Sequence, residues 1–220
     1  MGAVLEMTRA FWSGLLAVMV LASCGSDTPH SVSMVRTVVG SLPGAAKAPA
    51  PPPITRALLA QVLTPVMLVT IDSRGQKALI AEIQTNRGVA TWSSVDDITL
   101  SFRNGVIVAT RGFGADLMAA DVPGISPRRD GQAHVRVHTL LNGEDQAVQT
   151  TYACTFRTVG RETIDVVELA YQTTHVIESC TAEGMRFANG YWISDDESLR
   201  KSRQWISPEV GFLTIEDVRQ

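Results

Sequence analysis

The residues best suited to metal binding are His134 and His138, in a run over 134–138 where polar and apolar residues alternate. In a β-strand these imidazoles share a face but stand about 13 Å apart, since each residue advances the chain by about 3.3 Å. One zinc ion lies about 2 Å from each ligand nitrogen and cannot bridge them. Because a site would also need His175 and a carboxylate from other strands, we interpret 134–138 as a strand with a solvated polar face and a buried apolar face. We expect no metal and no cofactor.

Two acidic clusters have the composition of a glycosidase site, which uses a pair of carboxyl groups. They are Asp96 with Asp97, and Asp195 with Asp196 and Glu197. Adjacent side chains in a strand point to opposite faces, and both clusters fall where turns are expected. The Gly-x-Ser-x-Gly motif of a serine hydrolase is also missing from the sequence. The sequence therefore predicts no catalytic residue and a protein that is not an enzyme.

Two of the three cysteines, Cys154 and Cys180, lie in runs that are typical of strands. In an exported protein an even pair indicates a disulfide. Such a bridge would close a loop of about 27 residues and destabilise the unfolded chain by about 3.5 kcal/mol. The alternative is two separately buried thiols, because a free cysteine packs as a small hydrophobe. Neither cysteine belongs to a C-x-x-C pair, so nothing indicates a redox or zinc site.

Aromatic side chains are the candidates for contact with a sugar, because sugar rings stack on flat apolar surfaces. The candidate glycan contacts are Trp92, Tyr191, Trp192 and Trp205. Tyr191 and Trp192 are neighbours in a predicted strand, so one faces inward and the other outward. The alternative is that these rings belong to the core, where most large aromatic side chains lie.

The third cysteine, Cys24, follows a short apolar segment over 10–20 that is preceded by Arg9. Eleven residues are too few to span a bilayer, which takes about 20, and the pattern is that of a secretory signal. The quartet over 21–24, Leu-Ala-Ser-Cys, resembles the bacterial lipobox, after which the cysteine receives acyl chains such as palmitate. We therefore predict a signal peptide over 1–23, with translation starting at Met1 or Met7, and a lipid attached to Cys24.

The residues after Cys24 bear on the destination of the protein. The retention signal known in enteric bacteria places Asp directly after the cysteine, whereas here Gly25 follows it and Asp27 comes two places later. By that analogy we expect an outer-membrane lipoprotein that faces the periplasm. Several acyl chains together hold a protein stably on a membrane, at about 0.8 kcal/mol for each buried methylene.

Composition divides the remaining chain into a tether and a domain. Residues 24–53 end in a run of Pro and Ala, which favours an extended, semi-rigid spacer. Residues 54–220 show no internal boundary, and we expect them to form a single periplasmic domain. The chain of 220 residues has 45% hydrophobic residues and a net charge of −3. That balance argues against a nucleic-acid partner, which selects for a basic surface.

The domain has the pattern of an all-β protein that begins with a short helix over 54–63. Asn104-Gly105 and Asn142-Gly143 separate runs of β-forming residues and are strong hairpin signals. Gly160 is expected to make a further turn, and the Gly- and Pro-rich piece over 112–131 is expected to be a loop with a helical turn over 115–120. Ten or more short strands joined by local turns predict an antiparallel meander. Such a sheet must close into a barrel or half-barrel, or split into two layers, to protect its edges.

Several segments together resemble the YjbF/GfcB family of lipoproteins. They are the run over 106–114, the Trp-Ser-Ser over 92–94, the aromatic strand over 189–193, and the strand over 201–208, which carries a Ser-x-Gln motif and ends near a Pro. The resemblance spans about 54–218 and includes the lipobox. The family often has a Gly in the acidic turn before the Ser-x-Gln strand, where this chain has the acidic run over 195–197.

The resemblance implies a lipoprotein that takes part in the secretion of exopolysaccharide or group 4 capsule, with a fold similar to a small β-barrel. It supplies no catalytic residues. We therefore expect a non-enzymatic adaptor whose partners are the outer membrane, through its lipid, and secretion proteins of the outer membrane and periplasm. Polysaccharide itself is a further candidate partner. The alternative is a binding module that holds a glycan or a lipid in a barrel cavity or on exposed aromatic rings.

Overall fold

Twelve antiparallel strands form one continuous sheet in the computed structural model, which describes residues 53–123, 130–144 and 146–218. A four-residue helix, α1 (Arg56–Leu59), precedes them. The strands are β1 (Val66–Ile71), β2 (Gln76–Asn86), β3 (Val89–Ser93), β4 (Thr99–Arg103), β5 (Val106–Arg111), β6 (Leu117–Asp121), β7 (Ala133–Leu141), β8 (Ala147–Val166), β9 (Leu169–Ala182), β10 (Met185–Ser194), β11 (Leu199–Ser207) and β12 (Gly211–Asp217). The predicted signal peptide, Cys24 and the tether up to residue 52 lie outside the described residues.

The sheet is a meander, because nearly every strand pairs with its neighbours along the chain. The order is β5-β4-β3-β2-β1-β12-β11-β10-β9-β8-β7-β6, and the pairing of β1 with β12 brings the two halves together. The two edge strands then meet through side chains. Thr110 Oγ1 on β5 accepts the backbone N–H of Leu117 on β6 at 3.0 Å and donates to Asp116 at 2.8 Å. The sheet is thus a nearly closed barrel, and the prediction of an all-β meander that forms a barrel is confirmed.

Apolar side chains fill the part of the barrel interior that β1 to β5 enclose with β11 and β12. Leu100, Ile206 and Leu213 are completely buried there. A second apolar cluster lies on the outer face, where Leu59 of α1 packs with Leu68 of β1 and the residues beside it. Within the described ranges no helix is long and apolar enough to cross a membrane.

The short helix α1 is fixed to the barrel by Arg56, its first residue. Its guanidinium donates to the carbonyls of Val166, Val167 and Val218 at 2.6, 2.7 and 2.9 Å. The first two lie at the tip of the β8–β9 hairpin and the third follows β12. The helix, predicted over 54–63, is therefore present but shorter, and it contributes the anchoring side chain of Arg56 and the buried side chain of Leu59.

Two other local predictions are wrong. The residues expected to form a helical turn over 115–120 instead contribute to β6, where pairing with β7 satisfies their backbone groups. Gly160 does not reverse the chain. It adopts a φ of +147° and lies at a β-bulge inside β8, while the reversal occurs at Val167 and Glu168, whose φ angles are +45° and +66°. Residues other than Gly, Asn and Asp rarely adopt positive φ angles. Because Val and Glu are not typical turn residues, the sequence did not indicate a turn at this position.

Candidate functional site

The candidate site lies inside the barrel, between β7, β9 and β10, and consists of five polar side chains that we call the buried charge cluster: His134, Arg136, Glu178, Asn189 and Tyr191. Glu178 is 1% exposed and Arg136 is 2% exposed. Glu178 Oε2 accepts from Arg136 Nη1 at 2.7 Å, from Asn189 Nδ2 at 2.9 Å and from the Tyr191 hydroxyl at 2.9 Å. Its other oxygen, Oε1, contacts His134 Nε2 at 2.6 Å.

The strand register explains why these residues meet. Glu178 pairs directly with Asn189 across the β9–β10 ladder, and with Phe156 across the β8–β9 ladder. The ring of Phe156 stacks on His134 with 4.5 Å between centroids. His134 and Arg136 are two positions apart on β7 and therefore share its inner face.

The hydrogen bonds fix the charge of the carboxylate. Burial alone would raise the pKa of Glu178, but the hydrogen bond from His134 and the positive charge of Arg136 outweigh it and lower the pKa to about 2. Burial, and then the negative charge of Glu178, raise the pKa of Tyr191. The acid therefore remains ionised and the phenol neutral across the physiological range. A general acid or base needs a pKa near the working pH, and neither group has one.

His138, next to this cluster, lies in a cage of aromatic rings. It is completely buried and contacts the rings of Tyr152, Phe187 and Trp205 at centroid distances of 5.3, 5.9 and 5.7 Å. Its Nε2 accepts from Arg136 Nε at 3.3 Å, so the neutral ring carries its proton on Nδ1, which has no hydrogen-bond partner. Burial, and then the charge of Arg136, lower the pKa of His138 to about 3.

The interpretation of 134–138 as a strand with a solvated polar face is therefore wrong. The alternation is real, but the polar side chains of β7 point into the barrel while Val135 is 57% exposed. The reason is that Glu178 supplies the opposite charge on the facing side of the interior. Sequence pattern gave no sign of this pairing, since the partners are 42 positions apart.

One group of potential metal ligands occurs within the described parts of the chain, and it is not a metal site. The ligand atoms of His134, Cys154 and Glu178 lie within 4.8 Å of one another. However, Cys154 forms a disulfide with Cys180, directly opposite it in the β8–β9 ladder. A disulfide sulfur is not the thiolate that binds a metal, and the other two groups already bind each other.

The four aromatic residues proposed to contact a glycan do not share one surface. Tyr191 belongs to the buried charge cluster, and Trp205 is 6% exposed and covered by Phe187 at 4.6 Å. Trp92 is 5% exposed and faces the interior. Trp192 lies on the outer face, where it stacks on His175 at 4.3 Å.

A glycine makes room for this outer stack. A Cβ atom at Gly190 would lie 3.0 Å from the Trp192 ring and 3.4 Å from His175. The Trp192 Nε1–H donates to Glu162 at 2.9 Å, and Lys201 lies 5.7 Å from the ring centre. On the outside of the barrel, the Trp192 ring is therefore already in contact with polar and charged side chains of the protein.

The acidic clusters both lie in exposed turns, as expected. Asp96 and Asp97 connect β3 to β4, and the run over 195–197 connects β10 to β11. Within the second turn Glu197 adopts a φ of +64°. Glycine adopts this backbone conformation more readily than glutamate does.

The Ser-x-Gln motif joins opposite parts of the barrel. Gln204 on β11 reaches across the interior, where its Oε1 accepts the N–H of Ile107 at 2.9 Å and its Nε2 donates to the carbonyl of Gly105 at 3.0 Å. The same Nε2 group donates to Ser202 Oγ at 3.0 Å. The motif thus satisfies backbone groups of the edge strand β5 and its turn, and its role is to hold the barrel together.

A cavity of about 290 Å³ remains at one end of the barrel. It is bounded by strand ends and turns, and its lining combines aromatic, aliphatic and polar groups. The lining residues are Met67, Trp92, Phe102, Gly105, Ser198, Leu199, Ser202, Ile215 and Asp217. Of the four candidate glycan contacts, Trp92 alone belongs to this lining.

Comparison with known proteins identifies a family and a similar solved structure. Residues 33–218 match the model of a family described as "Group 4 capsule polysaccharide lipoprotein gfcB, YjbF". The chain is similar to the crystal structure of the hypothetical lipoprotein YmcC from Escherichia coli (K12), with a TM-score of 0.68 and 16% sequence identity, over 89% of this chain and 98% of that one. At that identity the likeness shows a shared fold. No curated protein matches the chain.

Proposed function

The chain belongs to the YjbF family of group 4 capsule polysaccharide lipoproteins, and from that premise we propose that it is a non-enzymatic adaptor in polysaccharide export. In this proposal the lipid on Cys24 anchors it to the outer membrane, facing the periplasm. The domain then binds secretion proteins through its outer surface.

The observation that carries the adaptor role is the state of the buried charge cluster. Glu178 Oε2 already accepts from Arg136, Asn189 and Tyr191, and Oε1 contacts His134, so the carboxylate has little capacity left to bind a substrate. A buried charge that is paired in this way is costly to expose or re-pair. The cluster therefore supports the barrel, and the activity belongs to the surface.

The outer face of β7 is the surface we assign to the partner. Two apolar side chains of β7 lie on its outer face, Val135, which is 57% exposed, and Leu141, which is 44% exposed, whereas Leu140 packs against the interior. They lie about 20 Å apart along the strand, since each residue advances the chain by about 3.3 Å, so the proposed contact would have to extend along most of β7. A partner that covers this strand would bury them.

Deletion of the gene, with complementation, tests the role in export. We expect surface polysaccharide to fall in amount or change in chain length, and to recover with the wild-type gene. Asp96→Asn with Asp97→Asn should also restore it, since these exposed carboxylates have no chemical role in an adaptor. Unchanged polysaccharide after deletion would refute the proposal, and failure of the double variant alone would favour an enzyme.

Val135→Glu tests the partner surface, with Val95→Glu as the matched control. Val95 is 96% exposed and lies in the β3–β4 turn. We expect Val135→Glu to abolish both complementation and cross-linking to envelope proteins, while Val95→Glu retains both. Equal behaviour of the two variants would contradict the assignment of β7.

Cys24→Ala tests the anchor. We expect the variant to leave the membrane fraction, because the acyl chains are the proposed attachment. Continued sedimentation with the outer membrane would contradict the lipid assignment.

A further inference from the structure

The end of the barrel where β1 begins carries two apolar side chains that are exposed to solvent. Leu63 is 98% exposed and Ile83 is 63% exposed. The antiparallel β1–β2 ladder ends at the pair Val66 and Ala81; Leu63 comes shortly before Val66 in the chain, and Ile83 comes shortly after Ala81. Both residues therefore lie beyond the ladder at the same end of the barrel. We call it the α1 end, because α1 precedes β1 there.

A groove of about 280 Å³ adjoins Leu63 at the α1 end. It lies between α1 and the start of β1, and its lining includes Leu59, Val62 and Pro65. Apart from Thr64, the lining side chains that the structure describes are apolar. An apolar group that settles beside Leu63 would therefore displace water without desolvating a charge, the costliest group to remove from water.

Two arginines lie at the tips of hairpins at the α1 end. Strand β2 continues beyond Ala81 to the β2–β3 turn, which contains Arg87, and Arg103 is the last residue of β4 before the β4–β5 turn. The two turns are neighbours, since Ala90, near the start of β3, pairs with Phe102 of β4. Both arginines are exposed, and neither guanidinium has a hydrogen bond or an ion pair with a residue in the described ranges. They are available to an anion from outside the domain.

Most of the acidic side chains near these arginines already have a partner in the protein. Asp195 and Asp196, in the β10–β11 turn, pair with arginines of β8 and β11. Glu168 accepts the backbone N–H of Arg56, and Glu82 accepts from a threonine of its own strand. Glu197 is the exception, and it belongs to the β10–β11 turn. On the side of the α1 end formed by β2 to β5, the unpaired charges are therefore those of the two arginines.

We propose that the α1 end rests on a lipid bilayer, with Leu63 and Ile83 between the headgroups and with Arg87 and Arg103 on the lipid phosphates. Exposed apolar side chains next to basic ones are typical of proteins that lie on a membrane surface. The inference rests on the proposed function through the lipid on Cys24. The tether that starts there leads directly to α1, and a tether raises the local concentration of the domain at the bilayer, so a weak contact is sufficient.

A protein partner fits the α1 end less well than a bilayer does. A stable protein interface buries about 1,200 Å² or more with close packing of the two surfaces. Leu63 and Ile83 are separate projections beside a small groove, and they offer no continuous surface of that size. A bilayer needs no matching shape, because lipids move around each side chain that enters.

The experiment uses the mature chain, which in the proposed function begins at Cys24. Cys154 and Cys180 are joined to each other, so the third cysteine supplies a thiol that couples to a maleimide phospholipid. Vesicles of phosphatidylethanolamine and phosphatidylglycerol then hold the tethered protein independently of lipidation in the cell. Leu63→Trp places a tryptophan at the α1 end. Val95→Trp is the matched control, because Val95 is 96% exposed and lies in the β3–β4 turn, at the opposite end of β3 and β4.

Quenching by brominated lipids shows which end of the barrel touches the bilayer, since it requires close contact with the tryptophan. We expect the added fluorescence of Leu63→Trp to be quenched and shifted to the blue. Val95→Trp should show no quenching beyond that of the wild type. Both changes are at exposed positions and should leave the melting temperature nearly unchanged.

Arg87→Gln with Arg103→Gln tests the charges in the Leu63→Trp protein. Loss of two basic side chains next to an anionic surface should lower the ratio of docked to undocked domain by about 30-fold. Arg157→Gln with Arg186→Gln removes two exposed arginines from β8 and β10 and should leave that ratio unchanged. High salt should act like the loss of Arg87 and Arg103, because it screens exposed charges.

Two results would overturn the proposal: Leu63→Trp is quenched no more than Val95→Trp, or docking responds neither to the loss of Arg87 and Arg103 nor to salt. Either result leaves the anchor intact, since fractionation of Cys24→Ala tests the anchor separately. If Cys24→Ala remains with the outer membrane while Leu63→Trp docks on vesicles, the lipid assignment fails and the docking surface stands.

Discussion

Acidification should destabilise the protein through His138. Burial and the charge of Arg136 lower the pKa of this imidazole to about 3, whereas in an unfolded chain it is about 6.5. The unfolded state therefore binds a proton at a pH where the folded state does not. The free energy of unfolding is highest above about pH 6.5 and falls as the pH decreases towards the folded pKa.

The size of the effect follows from the two pKa values. Between about pH 6.5 and pH 3, each pH unit lowers the free energy of unfolding by about 1.4 kcal/mol. From pH 7 to pH 4.5 His138 alone accounts for about 2.5 kcal/mol. Glu178, whose folded pKa is lowered to about 2, acts in the same direction. Its contribution is complete above its unfolded pKa and adds about 0.4 kcal/mol of loss by pH 4.5.

Urea unfolding at a series of pH values, followed by tryptophan fluorescence, measures this loss. His138→Gln removes the titrating ring but keeps a hydrogen-bond acceptor near Arg136. We expect it to be less stable than the wild type at pH 7, because the ring contacts are lost, and to lose about 2.5 kcal/mol less between pH 7 and pH 4.5. His175→Gln, on the outer face, is the comparison: burial also lowers the pKa of His175, but this ring is only partly buried, so the change in pH dependence should be smaller than in His138→Gln. An identical pH dependence in His138→Gln and the wild type would refute the reasoning.

Three substitutions test how the barrel is held together. Arg56→Met keeps the aliphatic stem but loses hydrogen bonds to three backbone carbonyls, and should lower the free energy of urea unfolding by about 2 kcal/mol. Gln204→Leu leaves the buried N–H of Ile107 without its partner and should cost about 3 kcal/mol in the same assay; an effect below about 0.5 kcal/mol, typical of a surface change, would contradict its bridging role. Glu197→Gly relieves a φ of +64°, worth about 1 kcal/mol, and should raise the melting temperature by about 2–4 °C; a decrease would show that the Glu side chain itself stabilises the turn.

Strand positions could largely be predicted from the sequence because they depend on local residue types. The hairpin at Asn104 and Gly105 illustrates this, since both residues adopt positive φ angles, 48° and 78°, as an Asn-Gly turn requires. The tip of the β8–β9 hairpin shows the limit. Val167 and Glu168 adopt similar angles at a tip whose carbonyls are bound by Arg56, more than 100 positions away. A local pattern contains no information on such a contact.

The candidate site could not be predicted for a related reason. The alternation of polar and apolar residues in β7 predicts that the strand has a polar face and an apolar face. It does not show which of the two faces the interior, because a polar face can be buried when it has a partner of opposite charge. From the sequence alone, His134 and Arg136 are expected on a solvated face. Their burial is explained only by Glu178, which contacts both of them in the interior. Trp92 and Trp205 could be identified as candidates from their type, but their burial depends on the curvature of the whole sheet.

The buried charge cluster also explains how the strands find their alignment. A shift of one residue in the β7–β8 ladder or the β8–β9 ladder would place Arg136 and Glu178 on opposite faces of the sheet. The one that stays inside the barrel would then be a buried charge without its partner, at a cost of several kcal/mol. The disulfide between Cys154 and Cys180 requires the same β8–β9 alignment, because the two residues are direct partners in that ladder. The ionic and covalent links therefore select one register together. This gives the buried polar residues a structural role, the selection of one strand register.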